Sequence, residues 1–237
     1  MNAWDDPRVR RGMEKQLAWR RERIAAGEKA VGWKVGFGAP AIMQRLGIAK
    51  PLVGFLTDRA RVENNGSISL AGWTKPAAEP EIAVYMGADL PAGANTNAVK
   101  AAIASIGPAI ELADVDRQTE PGTLEAVLAG NIFQRHVVLG PSDRSRTDAM
   151  VEGLTGRVFR GSAEIAETSD VTANTGDPVE LVRHVADMLA AFGERLRAGE
   201  FIITGSVVPP VFIEQKDESV RFELTPMGSV AVRFSRD

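Results

Sequence analysis

The chain has 237 residues, 44% of them hydrophobic and 25% charged, with a formal net charge of −3. That is material for one large or two small globular domains, and the slightly acidic balance argues against nucleic acid or an anionic membrane as the main partner. The absence of cysteine excludes a disulfide framework, a thiolate zinc site and a cysteine nucleophile.

No apolar run is long enough to cross a bilayer. The stretch from Met1 to Pro7 has no signal-peptide core, so the expected location is the cytoplasm. The two histidines, His136 and His184, exclude a site rich in imidazole. His184 falls in a helical stretch and reads as a surface or packing residue. His136 opens a strand and could either pack or act. A catalytic metal here would have mostly oxygen ligands, which favours magnesium, manganese or calcium.

In chain order, Asp6-Pro7 starts a helix carrying Val9, Met13 and Leu17 at helical spacing, stopped at Gly27. Its basic residues, with acids mixed in, form a solvated face. A short strand spans Val31 to Phe37 and contains Lys34. Gly38-Ala39-Pro40 opens a brief helix closed by Gly47, and Pro51 to Leu56 is extended, ending at Thr57-Asp58. Asn64-Asn65-Gly66 is a turn before a strand from Ile68 to Leu70. Ile82 to Met86 reads as a strand preceded by Glu79-Pro80-Glu81. Pro80 places an edge, a strand start or a bulge there.

Beyond the loop Pro91 to Asn97, a helix is expected over Ala98 to Ile106, ended by Gly107-Pro108. A strand over Ala109 to Leu112 encloses Glu111. Asp114 and Asp116 lead into a loop and then a helix from about Pro121 to Ala129, followed by a strand from Gln134 to Leu139. Arg160-Gly161-Ser162 turns a hairpin, and Asp177-Pro178 opens what reads as the longest helix, running to Gly193. Phe201 to Thr204 reads as a buried strand. Ser219 to Leu224 pairs with Ser229 to Phe234 around Pro226-Met227-Gly228. The helices are too few and the later strands too close together for a doubly wound sheet. The expected class is α+β with a largely β core over residues 71–237, against which residues 1–70 pack to form one compact unit. Gly36-Phe37-Gly38 lacks the full phosphate-binding spacing.

Glu79 and Glu81 lie two apart, so on a strand they share a face. They are either two acids on a wet face or a pair that needs a compensating charge, for which a divalent cation is the simplest source. Glu111 sits between Ile110 and Leu112, where an unpaired acid would be costly to bury; otherwise it points to water. Lys34 lies between Trp33 and Val35. It either holds its ammonium in solvent or, withdrawn from water, has a lowered pKa suited to acid/base work. Asp58 has the look of a turn residue. Thr204-Gly205-Ser206 offers hydroxyls and a backbone that a ligand can approach.

Five stretches in order resemble the fumarylacetoacetate hydrolase superfamily, in its 2-keto-4-pentenoate hydratase and 4-oxalocrotonate decarboxylase branch. They are Gly32 to Gly36, Gly54 to Asp58, Glu79 to Ala83, Ala109 to Glu111, and Gly199 to Gly205. The resemblance covers nearly the whole chain. It implies a mixed, rolled β core with peripheral helices, assembled as a homo-oligomer. It also implies a Mg²⁺ or Mn²⁺ ion held by Glu79, Glu81 and Glu111. Lys34 and Asp58 match substrate-side polar residues, with Lys34 holding substrate or moving a proton and Asp58 assisting. Thr204, Gly205 and Ser206 match the substrate-binding turn. The implied activity is a metal-dependent hydratase acting on a 2-hydroxy-2,4-dienoate or 2-oxo-4-enoate, the metal stabilising an enolate. A 2-oxo diacid decarboxylase, an acylpyruvate-type C–C hydrolase and a non-catalytic binder of metal or 2-oxo acid are the alternatives. The chain departs from the branch at Gly130, where an acid often precedes the asparagine, and at Asp177, where Gly-His-Pro often stands.

Overall fold

The computed structural model describes residues 2–115 and 123–237. Asp116 and Pro121, named above as parts of a loop and a helix start, lie outside the described residues.

The chain opens with helix α1 (Pro7–Ala25), where Pro7 fixes the first turn and the Asp6 side chain accepts from the Arg8 N–H at 2.8 Å. Strand β1 (Ala30–Gly36) follows, then helix α2 (Pro40–Leu46), stopped by Gly47 in the left-handed conformation. Next come β2 (Leu52–Thr57), β3 (Arg61–Val62), β4 (Ser67–Ser69) and the long β5 (Pro76–Met86). Helix α3 (Thr96–Ala102) leads directly into β6 (Ile103–Asp114), and α4 (Leu124–Ala129) precedes β7 (Gln134–Leu139). The hairpin β8 (Thr155–Arg160) and β9 (Ala163–Thr168) is followed by helix α5 (Pro178–Ala191) and by β10 (Phe201–Ser206). The chain ends with β11 (Val211–Phe212), β12 (Ser219–Thr225) and β13 (Gly228–Ser235).

Two sheets result. The larger runs β2-β1-β10-β5-β6-β7-β3, with β11 also pairing β5, and the smaller runs β4-β13-β12-β8-β9. This is a mixed α+β fold with few helices, as expected. The first seventy residues do not simply pack against the core. β1 lies parallel to β10 inside the large sheet and β4 lies parallel to β13 in the small one. Both sheets are therefore incomplete without the N-terminal segment.

Two readings of the sequence need correction. The helix expected over Ala98 to Ile106 ends at Ala102, and β6 runs on through Gly107-Pro108. Pro108 is tolerated mid-strand because β7 pairs only as far as Leu139, opposite Ala109. The Pro108 carbonyl accepts from Gly140 N at 2.8 Å, just past that end. An eleven-residue β5 therefore finds a partner along its whole length. The longest helix is α1, with 19 residues against 14 for α5.

Pro80 sits in a central strand, and bulging is what accommodates it. Its carbonyl accepts from Val207 N at 2.8 Å, so its nitrogen faces β10 too, where the ladder is interrupted between Ile203 and Ser206. One face of β5 and β6 carries Ile82, Val84, Ile110 and Leu112 into the main core. The opposite face carries Ala83 and Ala109, which join Val137 of β7 and Ile203 of β10 in a second, smaller cluster. The site lies on this second face.

Candidate metal and 2-oxo acid site

The register of β5 against β6 assembles the carboxylates. Glu79 lies directly opposite Glu111, and Glu81 lies opposite Ala109. With side chains alternating along a strand, all three acids project from one face. One oxygen from each lies within 4.8 Å of the others.

The third side of the site comes from β10. Ser206 pairs with Glu81 and Ile203 with Ala83, so β10 carries one extra residue across this interval, a bulge over Thr204-Gly205. Gly205 adopts φ 97°, which side-chain-bearing residues avoid, and its N–H donates to Oε2 of Glu81 at 2.6 Å. The bulge turns a ladder N–H into an anchor for the carboxylate.

Lys34 comes from β1, alongside Ile203 in the parallel ladder. Its ammonium donates to Oε1 of Glu111 at 2.5 Å and to the Ile132 carbonyl at 3.2 Å. Gly54, opposite Lys34 on β2, makes room for it: a Cβ there would stand 2.8 Å from Lys34 Cγ and 2.7 Å from Asn131 Oδ1. Asn131 in turn clasps the Phe55 backbone, accepting from its N–H at 2.8 Å and donating to its carbonyl at 2.9 Å. The clasp holds a left-handed turn in which Asn131, Ile132 and Phe133 have φ of 56°, 54° and 64°. Ile132 and Phe133 are not residues that choose this region, and each costs about 1–2 kcal/mol there. The turn presents the Ile132 carbonyl to Lys34.

Glu81 and Glu111 are fully buried, and Glu79 is half-buried at the cavity wall. Burial is the main reason all three have raised pKa values; for Glu81 the neighbouring Glu111 and Glu79 add to it. Glu111 is pushed up to about 7, although Lys34 pulls it the other way. For Lys34, burial is the largest single influence and disfavours the charge. Attraction to Glu111, Glu79 and Glu81 and the hydrogen bond to Glu111 together outweigh it, so its pKa is raised. The expectation that withdrawal from water would lower it is overturned: the carboxylates set the balance.

The donor set fits a hard divalent cation. Oε1 of Glu81 and Oε2 of Glu111 are buried without a hydrogen-bond partner, a costly condition that an ion would relieve. Beside the cluster is a cavity of about 260 Å³, bordered by Lys34, Glu79, Thr204, Gly205 and Ser206 and walled by the aromatic pair Phe37 and Phe133. Roomier hollows elsewhere, about 380 Å³ beside α5 and about 450 Å³ near Leu90, contain none of these residues.

Lys34, Glu79, Glu81, Glu111 and the Thr204-Gly205-Ser206 turn are thus brought together. Thr204 Oγ1 donates to the Ile82 carbonyl at 3.0 Å and Ser206 Oγ to the Pro80 carbonyl at 3.4 Å, leaving their lone pairs for a ligand. Asp58 is not brought to the site. It lies past the end of β2, where Thr57 pairs with Ala30, and accepts from Lys29 N at 2.9 Å. Lys34 pairs with Gly54, four residues before Asp58. Asp177 caps α5 through Val179 N at 2.8 Å. Gly130, with φ −85°, ends α4. His136 stacks on Trp73, and His184 bonds the Pro51 carbonyl at 2.9 Å; neither borders the cavity. Asn131 enters the sequence reading only as the asparagine that follows Gly130, with no role, and the Ile132 carbonyl not at all. An asparagine tolerates the left-handed region and is a weak signal, but nothing local marks Ile132 or Phe133.

Comparison with known proteins gives the family of the chain. Residues 35–235 match the family described as fumarylacetoacetate (FAA) hydrolase C-terminal. A 4-oxalocrotonate decarboxylase of Pseudomonas putida is 31% identical over 91% of this chain and 81% of its own. A 2-hydroxyhexa-2,4-dienoate hydratase of Comamonas testosteroni is 31% identical over 91% and 82% respectively. A solved structure of the 4-oxalocrotonate decarboxylase from Pseudomonas putida G7, complexed with magnesium and adipate, superimposes with a TM-score of 0.83 at 28% identity, covering 93% of this chain and 83% of that one. With its carboxylate cluster on paired central strands and matching sequence across almost its full length, the chain belongs to the fumarylacetoacetate hydrolase family.

Proposed function

We propose that this protein is a magnesium-dependent hydratase that adds water to a 2-hydroxy-2,4-dienoate, by way of its 2-oxo tautomer, in the breakdown of aromatic or related compounds. We further propose that it works in the cytoplasm as a homo-oligomer. The observation that carries the reading is the convergence of Glu79, Glu81 and Glu111, with two orphaned carboxylate oxygens, beside a cavity that also holds Lys34.

Glu79, Glu81 and Glu111 would hold the Mg²⁺, or Mn²⁺ in its place. Bound there, the ion supplies a Lewis acid for the carboxylate and keto oxygen of a 2-oxo acid. The other roles fall to the chain itself. Gly205 N–H fixes the Glu81 carboxylate, and Lys34 fixes Glu111. The Lys34 ammonium, kept charged by its neighbours, stands at the cavity wall as a proton donor and as a counter-charge to an oxyanion. Thr204 and Ser206 offer lone pairs to the substrate. The overall change balances simply. A proton moves from the 2-hydroxyl to carbon 5, giving a conjugated 2-oxo acid; water then adds its hydroxyl at carbon 4 and a proton at carbon 3.

Decarboxylation of a 2-oxo diacid is the second reading, favoured by the equal similarity, 31%, to the Pseudomonas putida decarboxylase. Only that route releases CO₂. Acylpyruvate-type C–C hydrolysis is less favoured: it needs a histidine or acid to activate water, neither histidine borders the cavity, and Glu79, the acid that does, is assigned to the cation. The first test is thermal unfolding of wild type and Glu81→Gln in EDTA, in Mg²⁺, and in Mg²⁺ with oxalate, then dienoate absorbance with CO₂ measurement. Stabilisation of wild type alone, with substrate loss and no CO₂, is the expected result. Equal turnover by Glu81→Gln at saturating Mg²⁺ removes Glu81 from the site. Oxalate binding without any turnover would make the protein a binder only.

A further inference from the structure

The cavity beside the cluster holds a second kind of information, about the part of the substrate that does not react. Lys34 is the only cationic side chain bordering it among the described residues, and that ammonium already serves Glu111 and the Ile132 carbonyl. Each of the other hydroxyl and amide side chains on the wall already makes a hydrogen bond within the protein, the Thr175 hydroxyl to the Gly176 carbonyl at 3.4 Å among them. Thr204 and Ser206 give their hydroxyl protons to backbone carbonyls, and Asn174 Nδ2 donates to the Ser206 carbonyl at 2.9 Å. The rest of the wall is predominantly carbon: Phe37 and Phe133 meet edge to face at 6.3 Å, and Ile42 and Pro210 stand with them. At the half-exposed Phe212, the ammonium of Lys75 lies 4.4 Å from the ring centroid, but Lys75 does not border the cavity.

From this lining we infer that the protein takes 2-oxo acids whose far end is uncharged and apolar, and discriminates against dicarboxylates. The inference rests on the proposed 2-oxo acid site and adds the substrate class to it. A second carboxylate drawn into this cavity would lose water and meet no free cation among the described residues of its wall. An alkyl tail would bury apolar surface against Phe37, Phe133 and Ile42. The cavity, about 260 Å³, lies below the range of roughly 300–1,000 Å³ that suits drug-sized ligands, which fits a short tail. The selection works through the wall alone, so it applies to non-reacting ligands as much as to substrates.

The test uses two 2-oxo acids with the same six-carbon chain. 2-Oxohexanoate ends in a methyl group and 2-oxohexanedioate in a carboxylate. Their affinities for the full-length protein are measured by calorimetry with Mg²⁺ present, beside oxalate. The methyl-ended acid is expected to bind about tenfold or more tightly than the dicarboxylate. In Ile42→Arg, which places a guanidinium on the wall, that gap should close or reverse, with oxalate binding retained as the reference for an intact site. Equal or tighter binding of the dicarboxylate by wild type, with oxalate still bound, overturns the tail inference and leaves the metal site standing. Loss of Mg²⁺-dependent binding for oxalate and both acids overturns the site itself and the inference with it. An Ile42→Arg protein that keeps oxalate binding without improving the dicarboxylate refutes the placement of the tail against Ile42.

Discussion

Gly54→Ala tests whether Lys34 is held in place by a fit this tight. One methyl group added at Gly54 would come within 2.7 Å of Asn131 Oδ1, 2.8 Å of Lys34 Cγ and 3.1 Å of Lys34 Cδ. Neither neighbour is free to swing away. The Lys34 contacts are on its stem, with the ammonium fixed at Glu111, and Asn131 holds both backbone groups of Phe55. Overpacking of this kind costs about 1–3 kcal/mol. In a chain of this length that lowers the melting temperature by roughly 2–12 °C. Turnover should suffer more, since displacement of a working group by about 1 Å can cost about a hundredfold in rate. Thermal unfolding and dienoate hydration, each measured with and without Mg²⁺, read the two effects separately. Gly130→Ala is the control, because Gly130 has an ordinary φ of −85° and its nearest added contact is 3.4 Å. If Gly54→Ala melts with wild type and keeps full activity, the packing argument for Lys34 is wrong.

Asn131→Ala should destabilise by roughly 2–4 kcal/mol, measured by urea unfolding, because it leaves the buried N–H and carbonyl of Phe55 unpaired. It should also slow turnover by releasing the turn that offers Ile132 to Lys34. Lys34→Ala should lower kcat more than it weakens Mg²⁺ binding by calorimetry; loss of metal binding alone would recast Lys34 as a ligand-positioning group. Stability of the metal-stripped protein should depend on pH through Glu111. Its folded value of about 7 lies above the ordinary 4.5, so its contribution is complete below 4.5 and is lost as pH rises through 7. Wild type without metal should therefore lose stability across that window relative to Glu111→Gln, and Mg²⁺ should cancel the loss.

Much of this was legible in the sequence where local rules operate. Asp6-Pro7 and Asp177-Pro178 start helices because aspartate caps and proline fixes the first turn, and both do so here. The shared face of Glu79 and Glu81 follows from strand alternation alone. Their union with Glu111 does not, because it depends on the register of β5 against β6, which no local pattern sets. Gly107-Pro108 misled for the same reason: it carries the letters of a helix stop, but a long partner strand overrides them. Asp58 entered through the resemblance alone; locally it reads as a turn residue, and it stands past the end of β2, away from the cavity lining. The left-handed turn over Asn131 to Phe133 was invisible, since tertiary contacts impose it on residues with no preference for it.

The electrostatics of the cluster explain why such a site is built on central strands. With all three ionised, as a bound cation would require, the carboxylates face one ammonium with a formal excess of two negative charges, which is why burial and, at Glu81 and Glu111, mutual repulsion raise their pKa values in its absence. Nothing in that balance favours folding, so the hydrogen-bonded sheet around it must hold the acids together against their repulsion. A cation that arrives finds its ligands already converged, and its binding energy goes into neutralising charge instead of ordering chain. The same excess fixes what Lys34 can do. A lysine whose pKa is raised is protonated at neutral pH, so its first act toward a bound 2-oxo acid is to give a proton or a hydrogen bond, not to take one. Its tie to Glu111 keeps that proton on the side of the cavity where the cation's ligands also lie. Donor and counter-charge are therefore positioned by one cross-sheet ion pair, and a Lys34→Arg protein, which keeps the charge but holds its proton far more tightly, should retain Mg²⁺ and oxalate binding while losing turnover.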